Sequence, residues 1–133
     1  MDRRVTLQDY LNSCRAKQFT PGQFDCALFA AGWLDVLHGS RLVDTYAGRY
    51  ASEAAGRRLL RAEGRRNLLD LCASHVSMLG NWMAAAPGDI ALVRDQRRLC
   101  FGVVGVGGKI HCVFAGGGLT TCDLSSAVKV GRP

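Results

Sequence analysis

The chain has 133 residues, 48% of them hydrophobic, a formal charge of +6 and a mean hydropathy of +0.05. That suits one domain over residues 1–133 with a single sizeable core, and it excludes a second domain. No stretch approaches the roughly 18 uninterrupted apolar residues of a membrane span, and Met1-Asp2-Arg3-Arg4 leads into polar sequence without a signal peptide, so synthesis and folding in a cytoplasm are expected.

In chain order, Thr6 with Asp9 three residues on reads as a capping box, and Leu7, Tyr10 and Leu11 form the apolar stripe of a first helix ending near Lys17. Phe19-Thr20-Pro21-Gly22-Gln23 is a turn. A second helix from Cys26 to about Leu37 is apolar on nearly every face, which marks it as the buried central helix, and His38-Gly39 closes it. A loop through Asp44, Gly48 and Arg49 leads to Ser52, the N-cap of a helix running to Gly64. A short helix from Asn67 to His75 follows, with Leu68, Leu69, Leu71 and Cys72 on its buried side. His38 and His75, both near helix ends, are read as dipole or solvent contacts.

From Pro87-Gly88 the pattern becomes β, with strands expected at 89–93, 99–106, 109–114, 119–124 and 127–130. The breaks at Gln96-Arg97-Arg98, Gly107-Gly108 and Gly116-Gly117-Gly118 imply antiparallel hairpins. The fold class is therefore α+β: a helical part over residues 1–86, with its buried helix packed on an antiparallel meander over residues 87–133.

Six cysteines (Cys14, Cys26, Cys72, Cys100, Cys112 and Cys122) are scattered without CxxC pairs or short metal-ligand spacings, so reduced thiols are expected, several of them in the core. Arg57, Arg58, Arg61, Arg65 and Arg66 crowd one segment without aromatic residues. This favours a solvated helix face or a docking surface over nucleic-acid binding. Cys26 stands apart from the other thiols. Asp25 is placed to cap the second helix, so Cys26 falls in its first turn, where free N–H groups and the helix dipole favour a thiolate. The position suits a nucleophile, although a small buried apolar side chain is the commoner fate of a free cysteine.

Three matches, in order, resemble the NlpC/P60 superfamily of papain-like cysteine peptidases and amidases. They are Asp25-Cys26 opening a buried helix, Gly88-Asp89 beginning a core strand, and Phe101-Gly102-Val103-Val104 followed by a glycine turn and Lys109-Ile110-His111-Cys112. A further likeness is to small phage and prophage proteins of unknown function encoded among tail genes. It is carried by Asp25-Cys26-Ala27-Leu28-Phe29-Ala30-Ala31, Ala47-Gly48-Arg49-Tyr50, Gly88-Asp89 and Phe114-Ala115-Gly116-Gly117-Gly118-Leu119. The resemblance implies a papain-like fold with Cys26 at the nucleophile position. It puts Cys100 where active members carry the histidine base, and His111 at the third polar position.

A neutral thiol has no basic lone pair comparable to imidazole, and its thiolate repels a second one. His111 could serve as base only in a shifted register, because a two-residue Gly107-Gly108 turn pairs it with Val104 and leaves it roughly 13 Å along the strand from Cys100, on the same face. Three readings follow from the resemblance and this departure. The first is a structural protein of a phage tail tip or baseplate with a degenerate peptidase fold, partnered by other tail proteins and needing no cofactor, made in the bacterial host cytoplasm and then carried in the virion tail. The second is an active thiol hydrolase that cuts peptidoglycan peptides with Cys26 as nucleophile and His111 as base. The third is a metal or redox site of Cys26, Cys100 and His111, with Cys112 nearby.

Overall fold

The computed structural model describes residues 3–133, and the side chains of 6–67 and 69–133. Expectations placed on Met1-Asp2 and on the side chain of Leu68 fall outside those residues. Five helices come first: α1 (Arg3–Cys14), α2 (Cys26–His38), α3 (Leu42–Tyr46), α4 (Glu53–Ala62) and α5 (Leu68–Ala73). Six strands form one antiparallel sheet: β1 (Ser77–Leu79), β2 (Ile90–Asp95), β3 (Arg98–Val104), β4 (Lys109–Val113), β5 (Leu119–Asp123) and β6 (Lys129–Arg132). The α+β class is thus observed. Among the described residues no helix is long and apolar enough to cross a membrane.

The α2 segment is apolar on most faces because it is covered on most of them, Val36 near its end staying exposed. Phe29 and Trp33 are fully buried, and each such side chain stabilises the fold by about 1.5–3 kcal/mol through area removed from water. On one side lies the sheet face formed by Ile90, Leu92, Phe101, Val103 and Val113. The Trp33 indole N–H donates to the Gly88 carbonyl at 2.7 Å, which ties α2 to the loop that opens β2. On another side lies α1, whose Tyr10 ring stacks on Phe29 with centroids 5.7 Å apart and whose hydroxyl donates to the Phe29 carbonyl at 2.6 Å. Gly32 makes that approach feasible, since a Cβ there would sit 2.3 Å from the Tyr10 oxygen.

The sheet order is β1-β6-β2-β3-β4-β5. Strands β2 to β5 form the expected meander, but β6 returns to the free edge of β2 instead of extending beyond β5. Burial explains the return. Asp89 is fully enclosed beside β2, and Arg132 on β6 reaches it with two nitrogens, at 2.8 and 3.2 Å. A carboxylate out of water requires such a partner.

Several expectations need correction. Helix α1 begins before Thr6, so Thr6 lies inside it and forms no capping box. It ends at Cys14 because Phe19 is drawn onto the glycine loop, its N–H donating to Gly117 at 2.9 Å. The stretch read as loop through Asp44 contains α3. The Asp35 carboxylate supplies its start, accepting from the N–H groups of Leu42 at 2.8 Å and Val43 at 3.0 Å. The helical part is not free of strand either, since β1 pairs with β6. Finally, the Gly107-Gly108 hairpin is shifted by one residue, pairing His111 with Val103 and Ile110 with Val104. Gly105 bonds to Lys109 at 2.8 Å around a longer loop whose two glycines take φ of 72° and 73°.

Replacing Gly32 by alanine drives a methyl group into the Tyr10 hydroxyl. The expected cost is about 1–3 kcal/mol, read as a lowered urea midpoint, and it is relieved when Tyr10→Phe is added.

Candidate functional site

Asp25 is buried, and its carboxylate accepts three hydrogen bonds. Leu28 N–H donates at 2.9 Å, which makes Asp25 the N-cap of α2; Gly22 N–H donates at 2.9 Å from the preceding turn; and the Tyr50 hydroxyl donates at 2.5 Å. Gly22 holds φ at 79°, and a Cβ there would collide with the Tyr50 carbonyl. The Gly22 carbonyl in turn accepts from Gly48 at 2.8 Å. The Ala47-Gly48-Arg49-Tyr50 segment is therefore a clamp on the turn that presents Cys26. Tyr50 is the residue missed by reading for nucleophiles and bases. Its signal was present as the one tyrosine of that quoted segment.

Cys26 follows directly, as the first residue of α2, half-buried. Strand β3 pairs with β2 from Arg98 onward, but its ladder with β4 begins only at the Gly102–Cys112 pair. Val104 bonds toward the β2 side, to Asp89 at 2.8 Å, so alternation turns Phe101 toward the side where β4 has ended. The start of α2 fills that gap, and the Phe101 N–H donates to the Cys26 sulfur. The neighbouring Cys100 thiol meets Cys26 there. The hydrogen bond with Cys100, together with burial, raises the Cys26 thiol well above its ordinary range, whereas the same hydrogen bond lowers Cys100. One negative charge on the pair is thus favoured and a second is strongly opposed.

His111 is elsewhere. Its pairing with Val103 puts it on the sheet face opposite Cys100, and its ring lies over Gly105, where a Cβ would be 2.5 Å from Nε2. Burial, and then the charge of Arg15, lower its pKa. The structure brings Cys26 and Cys100 together and leaves His111 apart from both. Cys112 shares the Cys100 face and points to Cys122, with sulfurs 3.9 Å apart. Among the described residues no group of three or more His, Cys, Asp or Glu is placed to hold a metal ion.

A cavity of about 390 Å³ opens beside the thiol pair, between α2, α4, α5 and β3. Cys26 and Cys100 line it together with apolar side chains that include Leu59, Leu71, Ile90 and Phe101. Arg57, Arg97 and Arg98 also border it, and Arg98 is ion-paired to Glu53 of α4. His75, just beyond α5, borders the cavity with its pKa lowered by burial and by Arg65, whereas His38 is exposed in the last turn of α2. Within the arginine-rich segment, Arg57, Arg58 and Arg61 are exposed, and Arg65 and Arg66 pair with Glu63 and Asp70, each at 3.1 Å.

Removing the Tyr50 hydroxyl (Tyr50→Phe) is expected to cost about 1–3 kcal/mol and to speed alkylation of Cys26 as the turn loosens, measured by denaturant titration and by thiol labelling. Alkaline pH tests the buried groups together. Burial pushes the Cys72 thiol up to about 11 and the Tyr10 and Tyr50 hydroxyls well above their ordinary value, Tyr50 being helped by its bond to Asp25. The unfolded chain releases these protons first, near pH 9–10, so stability is complete below that range and falls as pH rises through it. Urea midpoints should drop between pH 8 and pH 10.5, and tyrosinate absorbance from Tyr10 and Tyr50 should appear only on unfolding.

Neither a curated protein nor a solved structure matches the chain. A family match does extend over residues 1–131, which spans the Asp25 clamp, the thiol pair and the Asp89–Arg132 closure. The chain belongs to the family described as Domain of unknown function (DUF6950).

Proposed function

We propose that the chain is a structural protein of a phage-type tail, at its tip or baseplate, built on an NlpC/P60-like framework whose peptidase machinery has degenerated. The observation that carries this reading is the thiol of Cys100 beside Cys26, at the position where the resembled enzymes hold their histidine. Amide hydrolysis by a thiol needs a group that takes the proton and later returns it to the leaving amine, a contribution of about 10²–10⁴ in rate. Cys100 cannot do this as imidazole does, because a thiol has no comparable basic lone pair and a second thiolate beside Cys26 is opposed. His111 does not border the cavity that the two thiols line, and neither thiol contributes to its pKa shift. The retained Asp25 clamp then serves to fix the helix on the sheet, and the exposed Arg57, Arg58 and Arg61 offer a basic face to neighbouring tail proteins. On this reading the chain is made in the bacterial host cytoplasm and ends in the virion tail.

One observation favours a second reading, a thiol peptidase or amidase acting on peptidoglycan. Cys26 lies at a helix start, receives the Phe101 N–H and faces an open cavity. The two readings separate experimentally. Purified chain and Cys26→Ala incubated with peptidoglycan should release equal, background amounts of fragments; release by the first and not the second establishes the hydrolase. For the tail assignment, mass spectrometry of purified particles should find the chain at fixed stoichiometry in the tail fraction. Particles that are complete without it would overturn the assignment.

A further inference from the structure

We propose that Cys26 and Cys100 form a redox-active dithiol, oxidised to a disulfide by a hydroperoxide whose apolar body enters the adjoining cavity. The inference is independent of the tail reading. It shares with that reading only the position of Cys100.

Three features of the structure support it. The two thiols come from α2 and β3 into one packed cluster and line the same cavity, so a bond between them joins elements already packed against each other. Both line one cavity, so an oxidant that reaches one thiol meets the second beside it. Leucine, isoleucine and phenylalanine side chains, Leu59, Leu71, Ile90 and Phe101 among them, give the cavity apolar wall beside the thiols, which favours an alkyl or aryl hydroperoxide over small hydrophilic oxidants. The pair also favours a single thiolate, the reactive form, on Cys100, which the hydrogen bond from Cys26 lowers below its ordinary range.

The chemistry closes on these groups. The thiolate attacks the terminal peroxide oxygen, the O–O bond breaks, and the alkoxide takes up a proton and leaves as an alcohol, so that one cysteine becomes a sulfenic acid. The second thiol attacks that sulfur, forming the S–S bond and releasing water. In sum, one hydroperoxide and two thiols give one alcohol, one water and one disulfide. The peroxide is reduced by the two electrons that the sulfurs lose.

Cys112 and Cys122 provide an internal comparison. Their sulfurs are 3.9 Å apart, but neither lines the cavity, and burial pushes Cys112 upward. Proximity without access and without a favoured thiolate should leave that pair reduced.

The test treats the reduced chain with an equimolar amount of cumene hydroperoxide, alkylates the remaining thiols and maps them by mass spectrometry. Expected are a mass loss of about 2 Da, four alkylatable thiols in place of six, and a bridge between Cys26 and Cys100. The Cys112→Ser variant should behave identically, and Cys100→Ser should stop at a product without the 2 Da loss. Cumene hydroperoxide should react at least about tenfold faster than hydrogen peroxide, as expected of an apolar entrance. Six free thiols after treatment, or a bridge at Cys112–Cys122, overturns the proposal, and equal rates for the two peroxides overturn the apolar oxidant. The wild-type map needs no variant, so a misfolding substitution does not obscure the outcome.

Discussion

The Asp25 carboxylate is the constraint on which the rest of the site depends. It is buried, and three donors from three separate parts of the chain converge on it: the turn at Gly22, the start of α2 and the Tyr50 hydroxyl. A carboxyl group without these partners would be costly out of water. The bonds therefore set the direction in which α2 enters the core as well as capping it. The rotation of the helix follows, and with it the placement of Cys26 in the gap that β4 leaves along β3.

A second enclosed carboxylate plays a corresponding part farther along α2, beside Trp33. Asp89 is held by Arg132 and by the Ala86 N–H, and the adjacent Gly88 carbonyl takes the Trp33 indole N–H. Helix, loop and last strand are thereby joined around one buried residue. Asp25 of Asp25-Cys26 and Asp89 of Gly88-Asp89 both act as positioning groups.

Much of the fold was legible because it rests on local signals. The apolar run of α2, the cap at Ser52, and the glycine-punctuated strands β2 to β5 each carry their own pattern. What escaped was decided by partners distant in sequence. The three residues of β1 have no readable periodicity and become a strand because β6 pairs with them. The α3 helix forms because Asp35 offers it a cap. The turn after β3 carries two adjacent glycines, which permit more than one loop length, and a shift of one residue reverses the face of every side chain that follows. His111 passed to the opposite sheet face from Cys100 by that shift.

The sequence by itself determined the α+β class, the buried central helix and the presence of a thiol at its first turn, since hydrophobic period and capping residues are local quantities. Tertiary structure decided what that thiol meets. Strand register, the early end of the β3–β4 ladder and the Tyr50 clamp bring Cys100 to Cys26 and put His111 on the sheet face opposite Cys100, because these depend on how segments far apart in the chain share one core.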